Sequence, residues 1–398
     1  MNLPTDFPHE IAQRADQPGF DEVLDRARSA RHRRRTTIAS GLATVCVVGG
    51  IVAATQLGPR TPVEPASAPT PTSLTGEVDD RVPTDVRELL ADERTVLALV
   101  SGSGEATAAV WASCSATAGT CRSALVTTEG DKVEGRILED GSGIVQPVPG
   151  GWLVPSPRNA VRVTPDGGTD EVYDVGGGPV PAEAGDTAVW TTTDIRLLRG
   201  DKLVPMLAPE GAEVTGAYVA PDGQLVVTAS GPGGRRHLAT VQPGQSWSWS
   251  VVSDAALEDS AGTPPVLEGR GDSVVLAQLG DDPDRSVPLI SLRVSHDGGL
   301  TWSPVTGLDL TGTDGVRNLS SLVVSPEGTI FLTTESHGLV RIDRDGTVAT
   351  SRFSTYDTSA FVVSDSVCVV TEAGRVDDLR CSTDDGGTWA TTPLPGFR

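Results

Sequence analysis

Two segments of eight residues gather the side chains best suited to chemistry: Ser295-His296-Asp297-Gly298-Gly299-Leu300-Thr301-Trp302 and Ser382-Thr383-Asp384-Asp385-Gly386-Gly387-Thr388-Trp389. Both read Ser-x-Asp-x-Gly-x-Thr-Trp, and a carboxylate between two hydroxyls is a set of oxygens that can hold a ligand or a metal. The same residue types also have a mechanical use that consumes them. Short Ser and Asp side chains bond the amides of their own turn, Gly accepts a positive φ, and Trp fills apolar space beside a hairpin. Ser295, Asp297, Gly299, Thr301 and Trp302, and likewise Ser382, Asp384, Gly386, Thr388 and Trp389, are therefore read as hairpin-stabilising turns, with no metal site and no cofactor.

The octapeptides resemble the Asp-box of sialidases and other BNR-repeat β-propellers, and that resemblance implies a propeller fold. For a sialidase it further implies an arginine triad for the sugar carboxylate, a Tyr activated by a Glu as nucleophile, and an Asp as acid/base. None of Tyr173, Tyr218 or Tyr356 sits in a context matching that nucleophile, and the Phe/Tyr-Arg-Ile-Pro element before the first box is missing. Arg270, Arg293, Arg317 and Arg341 are the arginines that can converge at a propeller centre, although scattered Arg in an acidic chain is ordinarily solvated surface. Acidic residues are too numerous for a glycosidase pair to be singled out, so catalytic residues stay unassigned. Fold transfers more safely than activity.

Weaker copies extend the pattern. Thr240, Gly244, Ser246 and Trp247 keep the hydroxyl, Gly, hydroxyl and Trp positions with Gln242 in place of Asp, and Thr164-Pro165-Asp166-Gly167-Gly168 is a poorer relic. Their intervals fit one or two units of about 40–45 residues, the length of a four-stranded propeller blade. Apolar hairpins recur at Tyr218–Val227, Leu322–Leu332 and Phe361–Val370, the second of which supplies a blade without a box between the two good copies. The expected architecture is all-β, a propeller of seven blades with six or eight as alternatives, over residues 89–398. An early strand at Val96–Val100 is expected to pair into the last blade and hide the sheet edges.

Other signatures are thin. The five histidines are dispersed and form no metal or triad constellation. Gly176-Gly177-Gly178 runs into Pro179 rather than a helix, so it is no phosphate cradle. Arg270-Gly271-Asp272 resembles integrin ligands but reads most simply as a turn before Val274-Val275-Leu276, and Asn318-Leu319-Ser320 is a glycosylation sequon.

Of the five cysteines, Cys46 falls in an apolar run. Cys114 with Cys121, and Cys368 with Cys381, have spacings that suit facing positions in hairpins, and two disulfides fit an oxidising exterior. Zinc is the alternative, but no Cys-x-x-Cys step occurs.

Only Lys132 and Lys202 are lysines, a usage that with abundant Ala, Gly, Val and Pro points to a GC-rich bacterial genome. The net charge of -22 repels phosphates and argues against nucleic-acid binding. Positive charge concentrates in residues 26–35, just ahead of an uncharged run about as long as a bilayer crossing needs. Residues 1–35 are expected to be a cytoplasmic arm with a short amphipathic helix around Phe20, Val23, Leu24 and Ala27, residues 36–57 a single transmembrane helix, and 58–88 a Pro-rich extracytoplasmic linker. A cleaved signal peptide ending near Ala54 is the competing reading. The sequence thus predicts a membrane-anchored propeller outside the cell that binds a protein or cell-envelope glycan, with an exo-sialidase-like glycoside hydrolase as the alternative.

Overall fold

The computed structural model describes residues 77–397 apart from the loops at 115–120, 139–144, 156–159, 192–193, 232–234, 246–256, 258–262, 281–286, 309, 311–315, 335–336, 352–359 and 374–375. The expected arm, membrane span and most of the linker lie outside the described residues, as do Ser246, Trp247 and Tyr356. Among the described residues no helix is long and apolar enough to cross a membrane.

The chain is mostly β, built from successive antiparallel units. The first comprises β1 (Thr95–Ser103), β2 (Ala106–Cys114), β3 (Cys121–Glu129) and β4 (Lys132–Leu138), followed by β5 (Gln146–Val148), β6 (Gly151–Pro155), β7 (Ala160–Val163) and β8 (Thr169–Asp174). Two three-stranded units come next: β9 (Thr187–Trp190), β10 (Ile195–Arg199) and β11 (Lys202–Pro205), then β12 (Glu213–Val219), β13 (Leu225–Ser230) and β14 (Arg236–Val241). Three four-stranded units complete the fold: β15 (Val266–Arg270), β16 (Ser273–Leu279), β17 (Leu289–Ser295) and β18 (Ser303–Pro304); β19 (Leu319–Val324), β20 (Ile330–Thr334), β21 (Gly338–Ile342) and β22 (Val348–Ser351); and β23 (Ala360–Val363), β24 (Ser366–Ala373), β25 (Val376–Ser382) and β26 (Ala390–Thr392). One join breaks the antiparallel rule, for β8 pairs in parallel with β11 and fuses two units into a seven-stranded sheet.

Burial explains the residue pattern across each unit. Second strands are covered on both faces by neighbouring sheets, so they read as continuous apolar runs: every residue of β16 and β20 is buried. Outer strands face solvent, and β18 and β26 are exposed throughout. The first strands lie against one another in turn, β1 on β5, β5 on β9, β9 on β12, β12 on β15, β15 on β19, β19 on β23, and β23 back on β1. That cycle of radial sheets, three- or four-stranded, is the arrangement of a β-propeller.

Closure differs from expectation. Val96–Val100 lies in β1 and pairs with β2, not with the last sheet. β1 and β23 instead pack closely, so that a Cβ on Gly102 would stand 2.1 Å from the Val362 carbonyl oxygen. Outside them a wedge fills the seam. Helix α1 (Thr84–Leu90) buries Val86, Leu89 and Leu90 in one cluster with Trp111, Phe361 and Leu394. Val78 bridges Phe397, and the Trp111 indole donates to the Pro395 carbonyl at 3.0 Å while its ring meets Phe397 edge-on at 5.0 Å. The expected linker boundary at residue 88 therefore cuts through a folded helix, because a short apolar stripe of Val82, Val86 and Leu89 follows the prolines and is needed to plug the seam.

Candidate functional site

Both octapeptides form the turn between the third and fourth strands of a unit, β17 to β18 and β25 to β26. Their internal bonds are the same. The Ser295 hydroxyl donates to Asp297 at 2.7 Å and accepts from the Gly299 amide at 2.7 Å; Asp297 accepts the Thr301 amide at 2.9 Å and hydroxyl at 2.6 Å; the Trp302 indole donates to the Gly299 carbonyl at 2.9 Å. Ser382, Asp384, Gly386, Thr388 and Trp389 repeat this at 2.7, 2.7, 2.7, 2.9 and 3.2 Å. The Thr388 amide, the Ser382 hydroxyl and the Thr388 hydroxyl pull the Asp384 carboxyl down to about 2. Burial opposes ionisation of Asp297, yet bonds from Thr301 and Ser295 still leave it below the usual carboxylate range.

These turns also grip the preceding sheet. Thr240 on β14 donates to the Gly299 carbonyl at 2.6 Å, Gln224 donates to the Gly298 carbonyl, and a Cβ on Gly299, whose φ is +93°, would meet Val226 at 2.6 Å. In the second turn, Thr329 donates to Asp385 at 3.1 Å and Gly386 packs on Phe331. The Thr164 relic behaves likewise, with Thr164 donating to Asp166 at 2.5 Å and Thr127 of the preceding unit donating to the Pro165 carbonyl at 3.1 Å. Thr240, read as the start of a degenerate turn, is thus used to hold the next unit's turn; Gly244 adopts a φ of +71° in its own loop. Among the described residues no group of His, Cys, Asp and Glu is placed to hold a metal.

Both cysteine pairs are disulfides between directly facing residues, Cys114 with Cys121 across β2 and β3 and Cys368 with Cys381 across β24 and β25. Each lies within one sheet.

At the centre of the ring, where first strands turn into second strands, opens a cavity of about 490 Å³. Its walls come from β1, β5, β15, β19 and β23, and its polar lining is mostly engaged. Ser103 donates to the Val148 carbonyl at 2.8 Å and accepts from Gly151 at 3.0 Å; Ser101 accepts from the Trp152 indole at 2.9 Å; Gln146 accepts from Trp190 at 2.7 Å. Arg270 spans the mouth, donating at 2.8 Å to the Ser364 carbonyl, and the Ser364 amide donates to the Gly104 carbonyl at 2.6 Å. Burial lowers the Arg270 pKa, with Asp365 acting against it.

No protein-family model matches this sequence, and no curated protein matches it either. Some solved structures resemble it distantly. The acylaminoacyl peptidase of Pyrococcus horikoshii is 11% identical over 76% of this chain and 52% of its own, with a TM-score of 0.46; the β-propeller domain of the Trilobed protease from Pyrococcus furiosus is 11% identical over 76% and 96%, at 0.44. PorZ, a surface component of the type-IX secretion system of Porphyromonas gingivalis, is 11% identical over 74% and 38%, at 0.43. This chain therefore spans about half the length of the peptidase.

Among the described residues, those that the sialidase resemblance singled out do not assemble. Of the four arginines only Arg270 lines the cavity. Arg341 bonds Asp343 at 2.7 Å on its own strand, Arg293 lies on the third strand β17, and Arg317 bridges Pro288. Tyr218 donates its hydroxyl to the Gly271 carbonyl at 2.8 Å, and burial followed by Asp272 pushes its phenol well above the ordinary range, which keeps it protonated. Tyr173 is exposed on β8. Arg270-Gly271-Asp272 is a tight turn, closed by the Arg270–Ser273 pair and fixed by the Gly298 amide donating to the Asp272 carbonyl at 2.8 Å. Sequence alone missed Gln146, which lines the cavity, and Ser364, whose carbonyl holds Arg270; both are unremarkable polar residues until the ring forms.

Proposed function

We propose that this chain is a membrane-anchored, extracytoplasmic, seven-bladed β-propeller that binds a protein or cell-envelope glycan at the mouth of its ring, without covalent chemistry. The observation that carries the reading is the central cavity, walled by five units and lacking a paired nucleophile and base among its described lining residues. Propellers gather turns from every blade onto one end, which makes a broad recognition surface. Two disulfides support an oxidising compartment, and the Arg-rich block before residues 36–57 supports an N-terminus held in the cytoplasm. The acidic body repels nucleic acid.

The full chain, purified in mild detergent and immobilised, should retain components of a cell-envelope extract of the source bacterium and release no fluorophore from a fluorogenic sialoside. Saturable release of the fluorophore would instead establish the glycosidase. Protease added outside intact cells should remove the propeller; protection of the propeller would place it on the other side.

A further inference from the structure

Arg270 differs from the arginines that are held in ion pairs. Arg81 bonds Asp79, Arg94 bonds Asp92, Arg196 bonds Asp174 and Asp194, and Arg199 bonds Asp186 through two nitrogens. Arg270, in a chain of net charge -22, has Asp365 nearby and Glu268 on the same cavity wall, but makes no close ion pair among the described residues; its described bond is to the neutral Ser364 carbonyl. It stands exposed at the mouth of the central cavity, where its planar fork can grip a carboxylate in two places. Four of its five N–H donors are left for such a partner.

The cavity wall has a second property. β1, β5, β15, β19 and β23 each stand at the end of their sheet, so their inner edges carry no strand partner among the described residues. Main-chain donors and acceptors along such edges match those of an extended peptide, while the half-buried Val323 and Val362 offer apolar contact to its side chains. A folded glycan ring has no comparable repeat of alternating donors and acceptors.

We propose that the cavity captures the free carboxy terminus of an extended polypeptide, with Arg270 holding the terminal carboxylate and the inner strand edges holding the last few residues. This rests on the reading of the ring as a binding module and narrows its ligand to one class.

The test uses the full chain in mild detergent, immobilised, against two pools of random hexapeptides that differ only in a free or an amidated carboxy terminus. The free pool should be enriched, the amidated pool should bind more than about ten-fold less, and Arg270→Gln should abolish the difference. Arg270→Lys should restore part of it, and the melting temperature of each variant reports whether the ring has survived. Equal enrichment of both pools, or a preference that persists in folded Arg270→Gln, overturns the proposal. If neither pool binds while an envelope glycan fraction does, this inference fails and the binding module stands; if nothing binds, both fail.

Discussion

The Thr240 hydroxyl donates to the Gly299 carbonyl at 2.6 Å, from the third strand of one sheet into the octapeptide turn of the next. The turn is therefore a fastener between sheets as well as a lock within its own hairpin. Thr240→Val keeps the shape and removes the donor, and should cost about 1 kcal/mol in denaturant unfolding. Gly299→Ala should cost more, since its new Cβ would meet Val226 at 2.6 Å in a backbone with φ of +93°. Because the two residues touch, the double variant should lose less than the two single losses added together.

Acid should loosen the second octapeptide turn. Asp384 has its pKa lowered to about 2, first by the Thr388 amide and then by the Ser382 and Thr388 hydroxyls. A carboxyl held below its unfolded value contributes stability that is complete above the ordinary carboxylate range and lost as pH falls through about 2. Asp384→Ala should lower the melting temperature at neutral pH, and the gap to wild type should narrow steadily below about pH 4. A gap that stays constant down to pH 2 would separate the turn's stability from that carboxylate.

The wedge between the first and last sheets should be the weak seam of the ring. Trp111 is fully buried, bonded to Pro395 and packed on Phe397. Trp111→Ala should cost about 3–5 kcal/mol, and removal of residues 394–398 should raise hydrogen exchange first in β1, β2 and β23. Gly102→Val should act on the same seam from the inside, where β1 meets the Val362 carbonyl.

Thiol titration checks the covalent framework. The full chain, denatured without reductant, should show one thiol, that of Cys46, and five after reduction. Each disulfide closes a short loop and should contribute about 2–3 kcal/mol, so Cys114→Ser/Cys121→Ser should lower stability without opening the ring.

Much of this fold is legible in the residue order, for physical reasons. The hairpins at Tyr218–Val227, Leu322–Leu332 and Phe361–Val370 are the first and second strands of their units, and a strand covered on both faces leaves an apolar run that nothing else disguises. The octapeptides are legible because every bond in them is local. The β9–β11 unit is not: its strands are short, it has no third-to-fourth turn, and its outer edge is completed by β8 in parallel. Uneven spacing follows, with first strands starting at Thr95, Gln146, Thr187, Glu213, Val266, Leu319 and Ala360. Closure through Trp111 and Pro395 joins residues 284 apart, and no window of sequence carries that pairing. Arg270 was legible as a candidate, but its company was not, since Ser364, 94 residues away, reaches it only through the curvature of the ring.

The bridge between Val78 and Phe397 means that the polypeptide enters and leaves the ring at one point on its circumference. The two ends of the ring are tied together like two cords knotted at a single bead. A reporter attached at the carboxy terminus would sit beside the point where the chain enters the ring, across the ring from β12 to β14.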